Sequence, residues 1–159
     1  MHSRVFQVST KPIEEEDYLK EEDFYDCHLV GGAMDYITDW TDRDDDIKWF
    51  ANCYKKVLKV EGDKFTIVDK DAYFKKKYEE WIKCLKELAK TSFEDFKGDD
   101  NSFDELSFRE YHTHMLFEDN GEFHVQFEDI NTLMTIDDFM RHVHNGETYY
   151  FGGTLDYHY

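Results

Sequence analysis

The longest pattern along the chain has a helical period, and shorter segments alternate or are marked by helix caps. From Phe74 onward, Tyr78, Trp81, Ile82, Leu85, Leu88 and Ala89 recur every three or four positions, while Lys75, Lys76, Lys77, Lys83, Lys86 and Lys90 fill the gaps. That spacing predicts a long amphipathic helix over about 71–90, with its apolar stripe on a core and its lysines in water. Val5 and Val8 flank Phe6 ahead of Pro12, so residues 3–9 read as a strand. Apolar runs at 57–60 and 65–68 straddle Glu61-Gly62-Asp63 and predict a hairpin with Gly62 in its turn. The aromatic, alternating segment 147–159 reads as a strand bent at Gly152-Gly153.

The segments between are placed by their caps and breakers. Residues 14–26 form an acidic loop or short helix anchored by Tyr18, Phe24 and Tyr25. Gly31-Gly32 precede a short helical candidate over 33–40. Thr41, with Asp44 at the third helical position, is a capping-box variant opening a helix whose apolar residues are Ile47, Phe50 and Tyr54. Residues 92–98 suggest another helical turn, and Ser102 with Glu105 a further capping box. Residues 109–117 and 122–127 read as a second hairpin around Asp119-Asn120-Gly121. Thr135 caps a helix running to about His144, which Asn145-Gly146 ends. Five or six strands and several helices without regular βαβ alternation predict one α+β domain over 1–159, built on a mixed or antiparallel sheet.

Composition changes this picture in one respect and charge in another. A net charge of −18 with low mean hydropathy would suit a disordered chain. The 14 Phe, 11 Tyr and 3 Trp argue for a folded one, since each buried aromatic removes roughly 150–250 Å² from water. The charge is blocked: residues 1–47 hold 14 carboxylates against 4 Lys and Arg, residues 48–90 hold 7 against 12, and residues 91–159 hold 16 against 3. Acidic arms on both sides of a basic middle disfavour direct binding to nucleic acid or an anionic membrane, and leave open a basic protein partner, a cation or no partner at all. Cys27, Cys53 and Cys84 form no CxxC, no secretory signal opens the chain, and no apolar run is long enough to span a bilayer. Reduced thiols in a cytoplasmic protein are expected.

The predicted second hairpin supplies the sharpest candidate chemistry. It would put His112, His114 and His124 on one polar face, with Glu110 or Glu128 as a carboxylate ligand or base, a donor set suited to zinc or another transition metal. Asp42 to Asp46 lacks the glycine and downstream glutamate of a calcium loop, and so does Asp99-Asp100-Asn101; capping and turn formation account for both. His142 and His144 suit a helix C-terminus. Cys27-His28 are neighbours in sequence, which does not orient one toward the other. The nucleophile-elbow, phosphate-loop, dinucleotide and zinc-protease motifs are all lacking, and no organic cofactor is expected.

Two functional readings result. In the first, a non-enzymatic acidic protein binds a basic partner through Glu14, Glu15, Glu16, Asp17, Glu21, Glu22, Asp42, Asp44, Asp45, Asp99, Asp100, Asp104 and Glu105. Its sharp form imitates a DNA backbone and inhibits a nucleic-acid-binding protein. In the second, a small enzyme uses a metal on the histidine face to activate water. The opening Met1-His2-Ser3-Arg4-Val5-Phe6-Gln7-Val8-Ser9-Thr10-Lys11-Pro12-Ile13, continuing to Asp42-Arg43-Asp44-Asp45-Asp46-Ile47, resembles small acidic proteins of Gram-positive bacteria or their mobile elements. That resemblance covers the first third of the chain. It implies a bacterial cytoplasmic origin, raises the weight of an inhibitor, and carries over no site residue.

Overall fold

The computed structural model describes residues 2–24, 35–98, 100–117, 123–128 and 133–158. In chain order they form β1 (His2–Ser9), 3-10 turns at Glu15–Asp17 and Glu21–Phe24, β2 (Tyr36–Thr38), α1 (Arg43–Cys53), β3 (Leu58–Glu61), β4 (Lys64–Ile67), α2 (Lys70–Leu88), α3 (Phe93–Lys97), α4 (Asp100–Phe117), β5 (Phe123–Phe127), β6 (Leu133–Thr135), α5 (Ile136–His142) and β7 (Thr148–His158). The fold is α+β. Its sheet runs β3-β4-β7-β1-β5-β6, with β2 also on β7. β1 and β5 are parallel, and the other described pairings are antiparallel, so the sheet is mixed. Two compact units result, a sheet unit of residues 1–70 and 121–159 and a helical unit of residues 71–120.

Both faces of the sheet unit are covered, which explains why β1 and β7 are apolar on both sides. Phe6, Val8, Phe65, Phe123 and Phe151 are buried on the face that receives Phe50 of α1 and Phe139 of α5. The other face carries Val5, Leu155, Tyr157 and Ile37, closed by Leu19, Phe24 and Leu133. The acidic segment 14–24 is thus held by its few apolar residues. Tyr18 is half-buried with the Arg43 guanidinium 4.8 Å above its ring; Tyr25 lies outside the described residues.

The expected bend in the last strand is a bulge. Val8 pairs with Phe151 and Phe6 with Thr154, so Gln7 alone faces Gly152 and Gly153. The Gln7 Oε1 accepts from Gly153 N at 2.8 Å and Leu19 N at 3.0 Å, and its Nε2 donates to Asp17 O at 3.0 Å. A Cβ on Gly152 would sit 2.1 Å from that Oε1. Gly152→Ala is therefore expected to displace Gln7, break three hydrogen bonds and cost about 2–3 kcal/mol, read as a lower urea midpoint at unchanged slope. An unchanged midpoint would show that Gln7 does not hold the 14–19 segment.

The hairpin around Gly62 (φ +63°), the helix 71–90, the helical turn after Ser92 and the Thr135-capped helix all form where the sequence puts them. Five expectations are corrected. Residues 109–117 are helical, part of α4, because their apolar residues lie on both sides of a helix and imitate alternation, while Glu, Arg, Leu and Met favour helix. Ser102 consequently lies inside α4 rather than at its cap. Tyr36–Thr38 is a strand, paired with 156–158 of β7. Asp42, not Thr41, caps α1 and accepts from Asp45 N at 3.1 Å; the Thr41 hydroxyl turns instead to Thr154, 2.9 Å from its Oγ1. The apolar stripe of α2, expected against a core, contains no buried residue.

Candidate functional site

Helical structure at 109–117 removes the face on which the metal reading rests. His112 and His114 stand two residues apart on α4, about 200° around the helix from each other, while His124 belongs to β5 of the sheet unit. The His124 Nδ1 lies 2.7 Å from the Tyr157 hydroxyl. Among the described residues no three His, Cys, Asp or Glu side chains are grouped to hold a metal ion. Glu110 is exposed on α4. Glu128 ties β5 to the end of β1: its Oε1 accepts from Thr10 Oγ1 at 2.6 Å and Thr10 N at 2.8 Å, which holds its carboxyl below the usual range. His142 sits 2.7 Å from Asp138 O and His144 3.3 Å from Glu147, local pairs at the end of α5. Cys53 and Cys84 are free thiols; Cys27 lies outside the described residues.

The carboxylates proposed for a partner separate into two groups. Those of 42–46 serve α1. Asp42 caps it, Asp44 lies 3.7 Å from Arg43, Asp45 lies 2.7 Å from Lys48 and raises the lysine pKa through that hydrogen bond, and Asp46 is buried. Glu105 pairs with Arg109; Asp100 and Asp104 lie on α4, and Asp99 is outside the described residues. Glu14, Glu15, Glu16, Asp17 and Glu22, by contrast, have no Lys, Arg or His within ion-pair distance among the described residues. Three cations of the unit are engaged elsewhere. Arg43 reaches Asp63 at 2.8 Å, Lys59 reaches Glu61 at 2.7 Å, and Lys70 donates to the carbonyls of Arg141 and Val143.

The fold adds two residues to this acidic group. Glu21 and Glu22 meet Asp39 and Trp40 around a shallow depression of about 260 Å³, with Lys20 on its wall. Phe24, fully buried, fixes one side, and the Lys20 N donates to Asp23 Oδ2 at 2.8 Å. The other side is fixed by β2 and by the Thr41–Thr154 contact. Trp40 is 91% exposed. Carboxylates beside an uncovered indole can receive an arginine or lysine side chain, by charge and by the ring face together. A tryptophan lying between Asp39 and Asp42, off any apolar period, is the available signal in the sequence.

A second polar constellation, also absent from the candidates, joins β1, β7, β2 and α1. The Arg4 Nε donates to Asp46 Oδ1 at 2.8 Å, and its Nη1 donates to Asp156 Oδ1. The Thr154 hydroxyl donates to Asp46 Oδ2 at 2.9 Å, His2 Nδ1 lies 2.8 Å from Asp156 Oδ2, and His158 Nδ1 lies 3.0 Å from Asp35. The two Asp46 contacts, to Arg4 and to Thr154, lock the first turn of α1 onto the sheet, a structural role. No helix among the described residues is long and apolar enough to cross a membrane. No protein-family model matches the chain, and no curated protein or solved structure matches it either.

Proposed function

We propose that this chain is a non-enzymatic, cytoplasmic acidic protein that binds a basic protein partner, with the depression around Trp40 receiving a cationic side chain of that partner. What supports the reading most is the convergence of Glu21, Glu22 and Asp39 on the exposed indole, a few residues along the chain from Glu14–Asp17, which have no ion-pair partner among the described residues. Tryptophan is enriched among residues that carry binding energy, and the surrounding carboxylates give rate and selectivity. In the sharp form of the proposal the partner's basic groove normally holds a nucleic acid, which the acidic surface displaces. The free thiols Cys53 and Cys84 fit a reducing compartment.

An arginine-rich peptide is the first probe. Binding at low salt, weakening steeply as salt rises, is expected for the native chain. Trp40→Ala should weaken it roughly tenfold, about 1.4 kcal/mol, and Glu21→Lys with Glu22→Lys should abolish it. Binding that ignores all three substitutions would place the partner surface elsewhere, and no binding at low salt would end the proposal.

A further inference from the structure

The helical unit exposes aromatic side chains in numbers that the sheet unit does not. Phe93 and Phe96 on α3, Phe108 and Tyr111 on α4 and Tyr78 on α2 are between 58% and 73% exposed. Their placement on α4 is ordered. At about 100° per residue, Phe108, Tyr111 and half-buried Met115 fall within about 60° of one another. Half-buried Leu106 and buried Thr113 fall about 180° away. The helix therefore has one covered face and a second apolar face left open. On α2 the stripe Phe74, Tyr78, Trp81, Leu85 and Leu88 contains no buried residue, and Tyr78 and Leu85 are exposed. Exposed apolar positions of this kind, Phe108 and Tyr111 on α4 with Tyr78 and Leu85 on α2, mark an association surface.

We infer that the helical unit pairs with the same unit of a second copy of this chain, α2 of one copy lying against α4 of the other. Charge selects this occupant. α2 holds six lysines against four carboxylates, while α3 and α4 together hold six carboxylates against one lysine and one arginine. Lys75 and Lys86 lie together on one side of the α2 stripe, and Asp104 lies on the α4 stripe. Neither Lys86 nor Asp104 has an oppositely charged group within ion-pair distance among the described residues. Lys75–Glu79, Lys90–Glu87, Lys97–Glu94 and Arg109–Glu105 are ion pairs between near neighbours in the sequence. A two-fold arrangement sets basic against acidic helix twice over, because each copy contributes both. The lengths match as well: the 19 residues of α2 and the 18 of α4 span about 28 and 27 Å. A heterologous partner would have to reproduce both the basic and the acidic stripe, which a second copy supplies by construction.

Sedimentation velocity of the full chain across micromolar concentrations tests this. The native chain is expected to sediment at twice its 19.2 kDa mass. Phe108→Glu with Tyr111→Glu should leave monomer at every concentration, with the circular dichroism of the native fold, since both residues are exposed. Lys86→Glu should weaken dimerisation roughly tenfold, and Asp104→Lys in the same chain should restore it. A native chain that stays monomeric overturns the inference, as does a dimer indifferent to the aromatic pair or a charge swap that fails to restore. None of these readouts depends on the Trp40 surface.

Discussion

Replacing Phe50 by alanine is expected to cost about 3–5 kcal/mol, measured as a lower urea midpoint at unchanged slope. Phe50 is fully buried on α1. Its ring centroid lies 4.8 Å from that of Phe6, 5.5 Å from Phe151, 5.8 Å from Phe123 and 6.1 Å from Phe65, residues of four different strands. The lost ring is one term of the cost and the cavity is the other. Strands paired along their length cannot close in on the gap, so little of the cavity term is recovered by relaxation. Since a domain of this size is stable by roughly 5–15 kcal/mol, the variant should retain only part of its margin. Phe50→Leu, which keeps most of the volume, should cost less than half as much. Phe96→Ala, on an exposed helical turn, should stay within about 0.5 kcal/mol of the native chain. A loss at Phe50 below about 1 kcal/mol would mean that α1 is not clamped to the sheet by this cluster.

The elements visible in the sequence are those decided by neighbours in the sequence. The period of α2, the turn at Gly62, and the Thr135 cap with Asn145-Gly146 behind it are each complete within about twenty residues. The misread ones depend on distant partners or on a double pattern. β2 is three residues long, and only its pairing with residues 156–158 makes it a strand. α4 carries apolar residues on two opposed faces, so Tyr111, Thr113, Met115 and Phe117 alternate as a strand would, and the histidine face inferred from that alternation disappears with it. The parallel pairing of β1 with β5 joins segments more than a hundred residues apart and leaves no local trace. At the candidate site, the acidic run 14–17 is plain in the sequence, whereas the approach of Glu21 and Glu22 to Asp39 and Trp40 exists only in the folded chain. One signal was there to be used. Asp46 precedes Phe50 by four residues and so shares its inward face, and Arg4 alternates with Phe6 and Val8 on the matching face of β1. Charges of opposite sign on two core-facing positions predict a pair, and the structure contains it.

That pair carries the second large effect. Arg4→Met is expected to cost about 3–5 kcal/mol, because it strands two carboxylates that the guanidinium serves together. The side chains of Asp46 and Asp156 are 9% and 14% exposed, so water can replace the lost arginine only in part. Asp46 would keep the Thr154 hydroxyl, and Asp156 would keep His2. Arg4→Lys retains the charge but not the planar fork, and one point charge cannot donate to both carboxylates with good geometry; an intermediate loss is expected. The decisive measurement is the cycle with Asp46→Leu. Removing Arg4 alone leaves both Asp46 and Asp156 without their counterpart in a nearly dry site, whereas the double variant leaves only Asp156, which still faces His2. The double variant Arg4→Met/Asp46→Leu should therefore be more stable than the sum of the single losses requires, by about 1–3 kcal/mol. Strict additivity would show that Arg4 is held chiefly by Asp156 and that the first turn of α1 is anchored by its apolar side chains alone.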